Sequence, residues 1–167
     1  MNRRYRYMIG MCFWMAGICP AQSPVSGQLE KANDFTYTMA SGRQGTLYAL
    51  QAEVILLYFY DPECEDCHAL TERLNGSEAV NRLVGDKRME VLAVYPEEAT
   101  AEWLAWAEQM PPAWINGYDK GAKINTEGLY PMKTLPALYL LDAHKNIRLK
   151  EATAEETECE LKRISNN

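Results

Sequence analysis

The sequence predicts a single α/β domain with a mixed central sheet, helices on both faces and an N-terminal β extension. Residues 54–60 and 89–95 are almost entirely apolar, β-branched or aromatic, which is typical of strands buried on both faces of a sheet. A segment with helical spacing follows each of them. Two further strands joined by a tight turn and a last helix complete the chain, and this alternation followed by a hairpin indicates a mixed sheet. The 167 residues, 47% of them hydrophobic, are enough for one such core.

The first 21 residues are predicted to be a secretory signal peptide. Three arginines within the first six residues precede an apolar run at 8–18, and small residues follow. This order is typical of an export signal, and the run is too short to span a bilayer, which disfavours an uncleaved anchor. We expect cleavage after Ala21 and a periplasmic or secreted protein. Lipid attachment at Cys19 is the alternative. It is disfavoured because Ile18 stands directly before the cysteine, where such sites carry a small residue.

The charge of the chain limits its partners. The intact sequence has a net charge of −6, and loss of the three arginines leaves 14 basic residues against 23 acidic ones, a net charge of −9. Such an acidic chain argues against nucleic acid and anionic membrane surfaces as partners. We also expect no stable membrane insertion once the signal is removed.

The mature chain is expected to begin with a polar lead-in at 22–34, followed by the domain at 35–167. Residues 35–39 alternate between apolar residues and threonine, which predicts a half-buried strand. Residues 41–45 have the composition of a turn, and 46–50 are predicted to form a second short strand. These two strands are the N-terminal extension of the sheet.

The remaining elements follow from runs, caps and breakers. In order, we predict strand 54–60, a helix carrying Cys64 and Cys67 and ending near residue 75, a helix capped by Ser77 and ending at Gly85, strand 89–95, a helix capped by Thr100 and ending near 110, a loop-rich stretch at 113–133 with a helical turn near 120–126, strand 137–141, a turn at 142–146, strand 147–150, and helix 153–164.

The cysteines indicate a working pair rather than a disulfide scaffold. Cys12 and Cys19 fall in the predicted signal, which leaves Cys64 and Cys67 two residues apart and Cys159 alone. Three cysteines are too few for a stapled fold. For Cys159 we expect a buried packing role, with intermolecular pairing as the alternative.

A cysteine at the start of a helix that follows a buried strand has a defined chemistry. The unpaired N–H groups of the helix N-terminus favour a thiolate on Cys64. Cys67, one turn further, is placed to form a disulfide with Cys64 or to resolve a mixed disulfide on it. We therefore predict that Cys64 attacks and Cys67 resolves.

Other chemistries also use this spacing. Cys64 to His68 fit the C-x-x-C-H pattern of covalent haem attachment, but the motif follows a buried strand. A zinc or copper site would draw on the same cysteines with His68 and His144, although there is no second C-x-x-C. The simpler interpretation of His68 is a helix residue close enough to influence Cys67 electrostatically. A redox-inert binding module on the same fold is the remaining alternative.

Three segments occur in a recognisable order along the chain: GTLY at 45–48, LYFYDPECEDC at 57–67 and LPALYLLD at 135–142. Together they resemble the thioredoxin superfamily, specifically TlpA-like periplasmic thioredoxins with a Tyr-Asp-Pro-x-Cys-x-x-Cys site. The resemblance implies a thioredoxin fold, thiol–disulfide oxidoreductase activity and no bound cofactor. It also implies a cis bond before Pro136, which exposes the preceding backbone for pairing with an extended substrate. The implied partners are exported proteins that contain cysteines and a membrane or periplasmic dithiol electron donor.

The chain departs from this family at three places. Glu63 stands where most members have tryptophan, and Tyr58 stands where thioredoxin keeps a buried aspartate for proton transfer. Glu65 and Asp66 make the intervening pair acidic, which disfavours a thiolate on Cys64. A less stable thiolate makes the reduced form less favoured and the disulfide harder to reduce. The acidic pair therefore predicts a reductant or isomerase-like protein rather than a strong oxidant. The alternative is that both acids face water, where solvent screening leaves them little effect on the Cys64 thiolate.

Overall fold

The computed structural model of the chain describes residues 30–167. The predicted signal peptide, its cleavage after Ala21 and the alternative lipid attachment at Cys19 lie outside these residues. Within residues 30–167, no helix is both long enough and apolar enough to cross a membrane.

Strands and helices alternate through most of the described chain. In order, they are β1 (Thr36–Thr38), β2 (Gln44–Thr46), a 3₁₀ turn (Leu47–Ala49), β3 (Val54–Phe59), α1 (Glu65–Asn75), α2 (Glu78–Gly85), β4 (Met89–Tyr95), α3 (Ala101–Ala107), β5 (Ile115–Tyr118), α4 (Lys123–Thr126), β6 (Ala137–Asp142), β7 (Ile147–Ala152) and α5 (Ala154–Ser165). The strands form one sheet in the order β2-β1-β5-β4-β3-β6-β7.

The strand that leads to the cysteines lies inside this sheet. β3 pairs parallel with β4 and antiparallel with β6, so the predicted mixed sheet is confirmed. All six residues of β3 are buried, because the strand has a neighbour on each side and a packed layer on each face. The chain that leaves its carboxyl end therefore starts from a rigid support.

Successive side chains of β3 point to opposite faces of the sheet, and each face has its own core. Leu56 and Tyr58 belong to the core that α1, α2, α3 and α5 cover. Leu57 and Phe59 belong to the second core, which the 3₁₀ turn, α4 and the residues before β1 cover. Helices thus lie on both faces, as predicted, but the second face carries only short ones.

The outer strands of the sheet are short or irregular. β2 has three residues and none of them is buried. β7 pairs with β6 with register shifts between Leu138 and Leu140 and between Leu140 and Leu141. Near its end, Glu151 has a positive φ of 47°.

Two predicted elements differ in the structure. Residues 46–50 were expected to form a strand, but 47–49 form a 3₁₀ turn because the Thr46 side chain accepts the Ala49 N–H. β5 lies inside the stretch expected to be loop-rich. Its Asn116 and Gly117 are typical turn residues, and its pairing with β4 and β1 decides the conformation instead.

Smaller differences concern caps and boundaries. Ser77 precedes α2 as predicted, but its side chain makes no capping hydrogen bond. Lys31 forms a bridge with Asn146, so part of the lead-in contacts the domain. Cys159 lies on α5 and is half-buried rather than buried.

Candidate active site

The turn between β3 and α1 brings Cys64 to the first turn of the helix. The Cys64 N–H donates to the Asp61 carbonyl oxygen at 3.2 Å, and the Glu63 N–H donates to Asp61 Oδ1 at 2.8 Å. Cys64 is the N-cap of α1, and its Sγ accepts the Cys67 N–H at 3.2 Å. The Cys67 N–H, which also donates to the Cys64 carbonyl oxygen at 3.1 Å, thus points at the sulfur, where it stabilises negative charge.

Cys67 lies one turn further along α1 and is buried, whereas Cys64 is half-buried; both are free thiols. Burial raises the pKa of the Cys67 thiol, against a lowering contribution from the Asp61 backbone N–H, and the neighbouring Cys64 raises that pKa further. The two cysteines therefore differ in access, and burial makes Cys67 hard to ionise.

The segment before β6 closes the other side of Cys64. The Leu135–Pro136 peptide bond is cis, in agreement with the expectation. Cys64 Sγ donates a long hydrogen bond of 3.9 Å to the Leu135 carbonyl oxygen. The predicted residues Cys64, Cys67 and Pro136 thus belong to one locality, at the end of the sheet where β3 stops and β6 starts.

A groove of about 330 Å³ runs from this locality between α1, the start of β6 and the junction of β7 with α5. Small and apolar side chains form most of its lining, with one acid and one arginine. The lining residues are Asp66, Ala69, Leu70, Arg73, Pro136, Leu138, Ala152, Thr153 and Ala154. Such a groove can accept the side chains of an extended polypeptide beside Cys64.

Tyr58 lies beneath the pair on the buried face of β3. Its hydroxyl donates to the Cys67 carbonyl oxygen at 2.7 Å, and the Thr71 hydroxyl donates to the same oxygen at 2.9 Å. Burial raises the pKa of Tyr58 well above its ordinary value. The phenol is therefore protonated at neutral pH and supports the helix rather than accepting a proton from Cys67.

The acidic residues around Cys64 face water. Glu63, Glu65 and Asp66 are all exposed. Solvent screening weakens the effect of exposed charges on a nearby thiolate. The structure therefore favours the screened arrangement that the sequence left open.

His68 makes contacts that the sequence did not predict. Its Nε2 lies 2.7 Å from the Pro62 carbonyl oxygen. Its ring stacks on Trp106 of α3 with centroids 3.8 Å apart and planes 15° apart. The predicted packing face of α3 is present, since Trp103 is buried, and Trp106 extends that face to the cysteine turn.

The geometry also bears on the metal alternative. Across residues 30–167, no group of three or more His, Cys, Asp or Glu side chains is arranged to hold a metal ion. His144 follows β6, whose end pairs with Val54, while the cysteines follow Phe59 at the other end of β3. His144 is therefore remote from Cys64 and Cys67.

Comparison with known proteins gives structural relatives only: no protein-family model and no curated protein matches the chain. A thioredoxin-like protein from Bacteroides caccae is 41% identical over 80% of this chain, with a TM-score of 0.77. This chain spans 48% of that protein. The C-terminal domain of an uncharacterized protein from Bacteroides fragilis is 40% identical, with 79% of this chain and 94% of that domain covered and a TM-score of 0.76.

A more distant structure shares the fold. The thioredoxin domain of a thiol-disulfide oxidoreductase from Bacteroides vulgatus has a TM-score of 0.72, with 84% of this chain and 99% of that domain covered. Its sequence identity is 18%. The likeness therefore concerns the arrangement of the sheet and helices.

Proposed function

This chain belongs to the thioredoxin superfamily, and we propose that it is an exported thiol–disulfide oxidoreductase. The observation that carries the proposal is the unequal pair of thiols. Cys64 is half-buried at the start of α1, and Cys67 is buried one turn behind it. An accessible thiol backed by a protected one is the arrangement that a two-step disulfide exchange needs.

The exchange proceeds in two balanced steps. The Cys64 thiolate attacks one sulfur of a substrate disulfide, a mixed disulfide forms, and the other substrate sulfur leaves as a thiolate that takes up a proton. The Cys67 thiolate then attacks Cys64 Sγ and releases the second substrate thiol. Two electrons pass from the pair to the substrate, and the pair ends as a Cys64–Cys67 disulfide.

The geometry supports this order of attack. The Cys67 N–H stabilises negative charge on Cys64 Sγ. Burial disfavours the thiolate of Cys67, so Cys67 reacts only when a neighbouring sulfur is presented to it. That sulfur is Cys64 Sγ in the mixed disulfide.

The substrates we propose are exported proteins that contain cysteines. The Leu135 carbonyl oxygen lies beside Cys64 Sγ, where it can accept a hydrogen bond from the backbone of an extended segment. Pro136, which directly follows that carbonyl, also lines the groove of mostly small and apolar side chains. Re-reduction would come from a membrane or periplasmic dithiol protein, and export rests on the N-terminal sequence pattern.

We propose that the pair acts as a reductant or isomerase rather than as an oxidant. A strong oxidant of this kind stabilises its reduced form through a stable thiolate. Here burial disfavours the thiolate on Cys67, and the charged residues adjacent to Cys64 are the acids Glu63, Glu65 and Asp66. Because these acids are exposed, their contribution is the smaller of the two.

An equilibrium redox titration of the purified chain tests the proposal. Thiols are trapped at each potential, and the peptides containing Cys64 and Cys67 are followed by mass, which separates the pair from the other cysteines. We expect one two-thiol transition below about −250 mV. A transition near about −120 mV would show that the direction is wrong, and absence of a Cys64–Cys67 disulfide would overturn the oxidoreductase function.

The same titration on a variant measures the acidic contribution. Replacement of Glu65 and Asp66 by Gly and Pro removes two carboxylates from the first turn of α1. We expect the potential to rise, because the thiolate of Cys64 is then opposed by less negative charge. An unchanged or lower potential would exclude an electrostatic role for these acids.

A further inference from the structure

We infer that His68 is a positioning residue for Cys64: stacked on Trp106 and bonded to Pro62, it holds the turn that presents the attacking sulfur. The inference rests on the proposed function, since it concerns the reactivity of the same cysteine. It assigns a role to the histidine that ends the C-x-x-C-H sequence, which the exchange chemistry does not itself use.

The hydrogen bond to Pro62 defines which nitrogen carries hydrogen. A carbonyl oxygen can only accept, so His68 Nε2 must donate at the observed 2.7 Å. Both the neutral Nε2–H tautomer and the protonated ring keep this donor.

The backbone ties His68 to the same turn from within the helix. The His68 N–H donates to the Cys64 carbonyl oxygen at 3.1 Å. The side chain reaches over this contact to the Pro62 carbonyl, two residues before Cys64. His68 is thus hydrogen-bonded to the turn both before and after the Glu63–Cys64 peptide, at the carbonyl oxygens of Pro62 and Cys64.

The stack fixes the direction of the ring. Trp106 belongs to α3, and its half-buried indole packs against the core that contains Cys67. With centroids 3.8 Å apart and planes only 15° apart, the two rings have little freedom to tilt. The orientation of the His68 N–H, and with it the position of the Pro62 carbonyl, is therefore set by α3.

The rest of the turn shows why this side chain is needed. Its first residue is fixed by the main chain, because the Asp61 carbonyl oxygen accepts the Cys64 N–H. Glu63 is exposed and supplies no packing contact of the kind that Trp106 supplies. Besides the buried ring of Pro62 itself, His68 connects the middle of the turn to the protein core through the Pro62 carbonyl oxygen and Trp106.

Three substitutions separate the hydrogen bond from the stack, and a fourth serves as the control. His68→Phe keeps a ring for Trp106 and removes the donor, His68→Gln keeps an N–H donor and removes the ring, and Trp106→Leu removes the stacking partner. His144→Phe is the matched control, since His144 is exposed on the turn at the opposite end of β3.

The measurement is the second-order rate constant for reaction of Cys64 with a small aromatic disulfide. It is made on the full chain carrying Cys67→Ser, so that only the first step occurs, and is followed by the mass of the Cys64 peptide. We expect His68→Phe to lower the rate constant about 10-fold, because a misplacement of about 1 Å can cost up to about 100-fold in rate. The rate constant of His68→Gln should stay within about 3-fold of the original, and that of Trp106→Leu should lie between those of the two His68 variants. His144→Phe should leave the rate constant unchanged.

A purely structural role gives a different result. In that case the variants would lower the melting temperature, while the rate constant and the redox potential of the two-cysteine chain would stay at their original values, and the inference would be overturned. If His68→Phe does not fold, the comparison of His68→Gln with Trp106→Leu decides by the same criterion. Failure of the chain to form a Cys64–Cys67 disulfide would refute the proposed function, whereas the variant rates test His68 separately.

Discussion

The hydroxyl of Tyr58 meets the carbonyl oxygen of Cys67 at 2.7 Å, directly beneath the reactive pair. It shares this acceptor with the Thr71 hydroxyl, so the first turns of α1 are bonded to the central strand of the sheet. A phenol whose pKa is raised by burial has no capacity to take a proton at neutral pH. Tyr58 therefore stabilises the helix that carries both cysteines without taking part in proton transfer.

Replacement of Tyr58 by phenylalanine tests this role. The change removes the hydroxyl's buried hydrogen bond to Cys67 and its 3.2 Å contact with the Thr71 hydroxyl and leaves the ring packing intact, so we expect the free energy of unfolding to fall by about 1–2 kcal/mol. The rate at which Cys67 resolves a mixed disulfide should stay within about 3-fold of its original value. Urea denaturation and a stopped-flow exchange assay measure the two quantities. A tenfold slower resolution step would instead show that the phenol is needed in the chemistry.

At the residue scale, the sequence predicted what depends on local order along the chain. Cys64 and Cys67 are placed by the strand that precedes them and the helix they start, and both features are visible as patterns. The contact between His68 and Trp106 is not local, since 38 positions separate the two residues. It depends on how α3 lies against α1, and nothing in the spacing of either helix encodes that orientation.

Among the elements, β5 shows how tertiary contact can override a local signal. The ring of Tyr37 on β1 lies against two glycines on the neighbouring strands. A Cβ at Gly117 of β5 would come within 3.0 Å of Tyr37 Cδ2, and one at Gly45 of β2 within 2.5 Å of Tyr37 Oη. Glycine in this strand thus permits close approach of a ring, whereas in the sequence Asn116-Gly117 resembles a turn.

A pair of alanine substitutions tests the close approach. Gly117→Ala places a methyl group 3.2 Å from the Thr38 carbonyl oxygen and 3.0 Å from Tyr37 Cδ2, so we expect a loss of about 1–3 kcal/mol in the free energy of unfolding. Gly85→Ala is the control, because a Cβ there meets nothing within 4 Å and alanine favours the helix by about 0.5–1 kcal/mol. Urea denaturation midpoints give both values. Equal midpoints for the two variants would contradict the packing explanation.

The elements that the sequence predicted well are those whose ends carry their own signals. Thr100 accepts the Trp103 N–H at the start of α3, and Thr153 forms a capping box with Glu156 at the start of α5. The 3₁₀ turn after β2 lacked such a signal in our interpretation, although the Thr46 side chain caps it. A threonine inside a short apolar stretch is equally compatible with a strand, and the local sequence does not separate the two.

At the scale of the whole molecule, the buried Cys67 couples the redox state to stability. In the reduced chain the folded state holds the Cys67 proton to a higher pH than the unfolded state does. Its stabilising contribution is complete below the unfolded thiol pKa of about 8.5 and is lost as pH rises above that value. In the disulfide form neither cysteine of the pair titrates.

The reduced protein should therefore lose stability between about pH 8.5 and pH 10, relative to the oxidised protein. Melting temperatures of both forms over this range measure the effect, and the buried tyrosines cancel because they are present in both forms. A variant with Cys64→Ala and Cys67→Ala, treated with the same oxidants and reductants, accounts for the remaining cysteines. Parallel curves for the two forms would mean that burial of Cys67 does not disfavour its thiolate.

The overall architecture followed from the sequence because the central strands are long, apolar and separated by periodic helices. The sequence did not show that the segment before β1 contacts the turn between β6 and β7. The Ala32 N–H donates to the Lys145 carbonyl oxygen, and Lys31 forms a bridge with Asn146. These contacts join segments more than one hundred positions apart. The short polar stretch around residue 31 has no sequence pattern that predicts them.

The irregular register of β7 has a consequence for how molecules of this protein meet one another. An open strand at the border of a sheet offers unpaired N–H and C=O groups to any other extended chain, which is a common start of aggregation. Here the shifts in register, the positive φ of Glu151 and the exposed charges of Arg148 and Lys150 interrupt that row of groups. The border is thus a poor template for a strand from a second molecule, so copies of the folded protein have little tendency to extend one another's sheet.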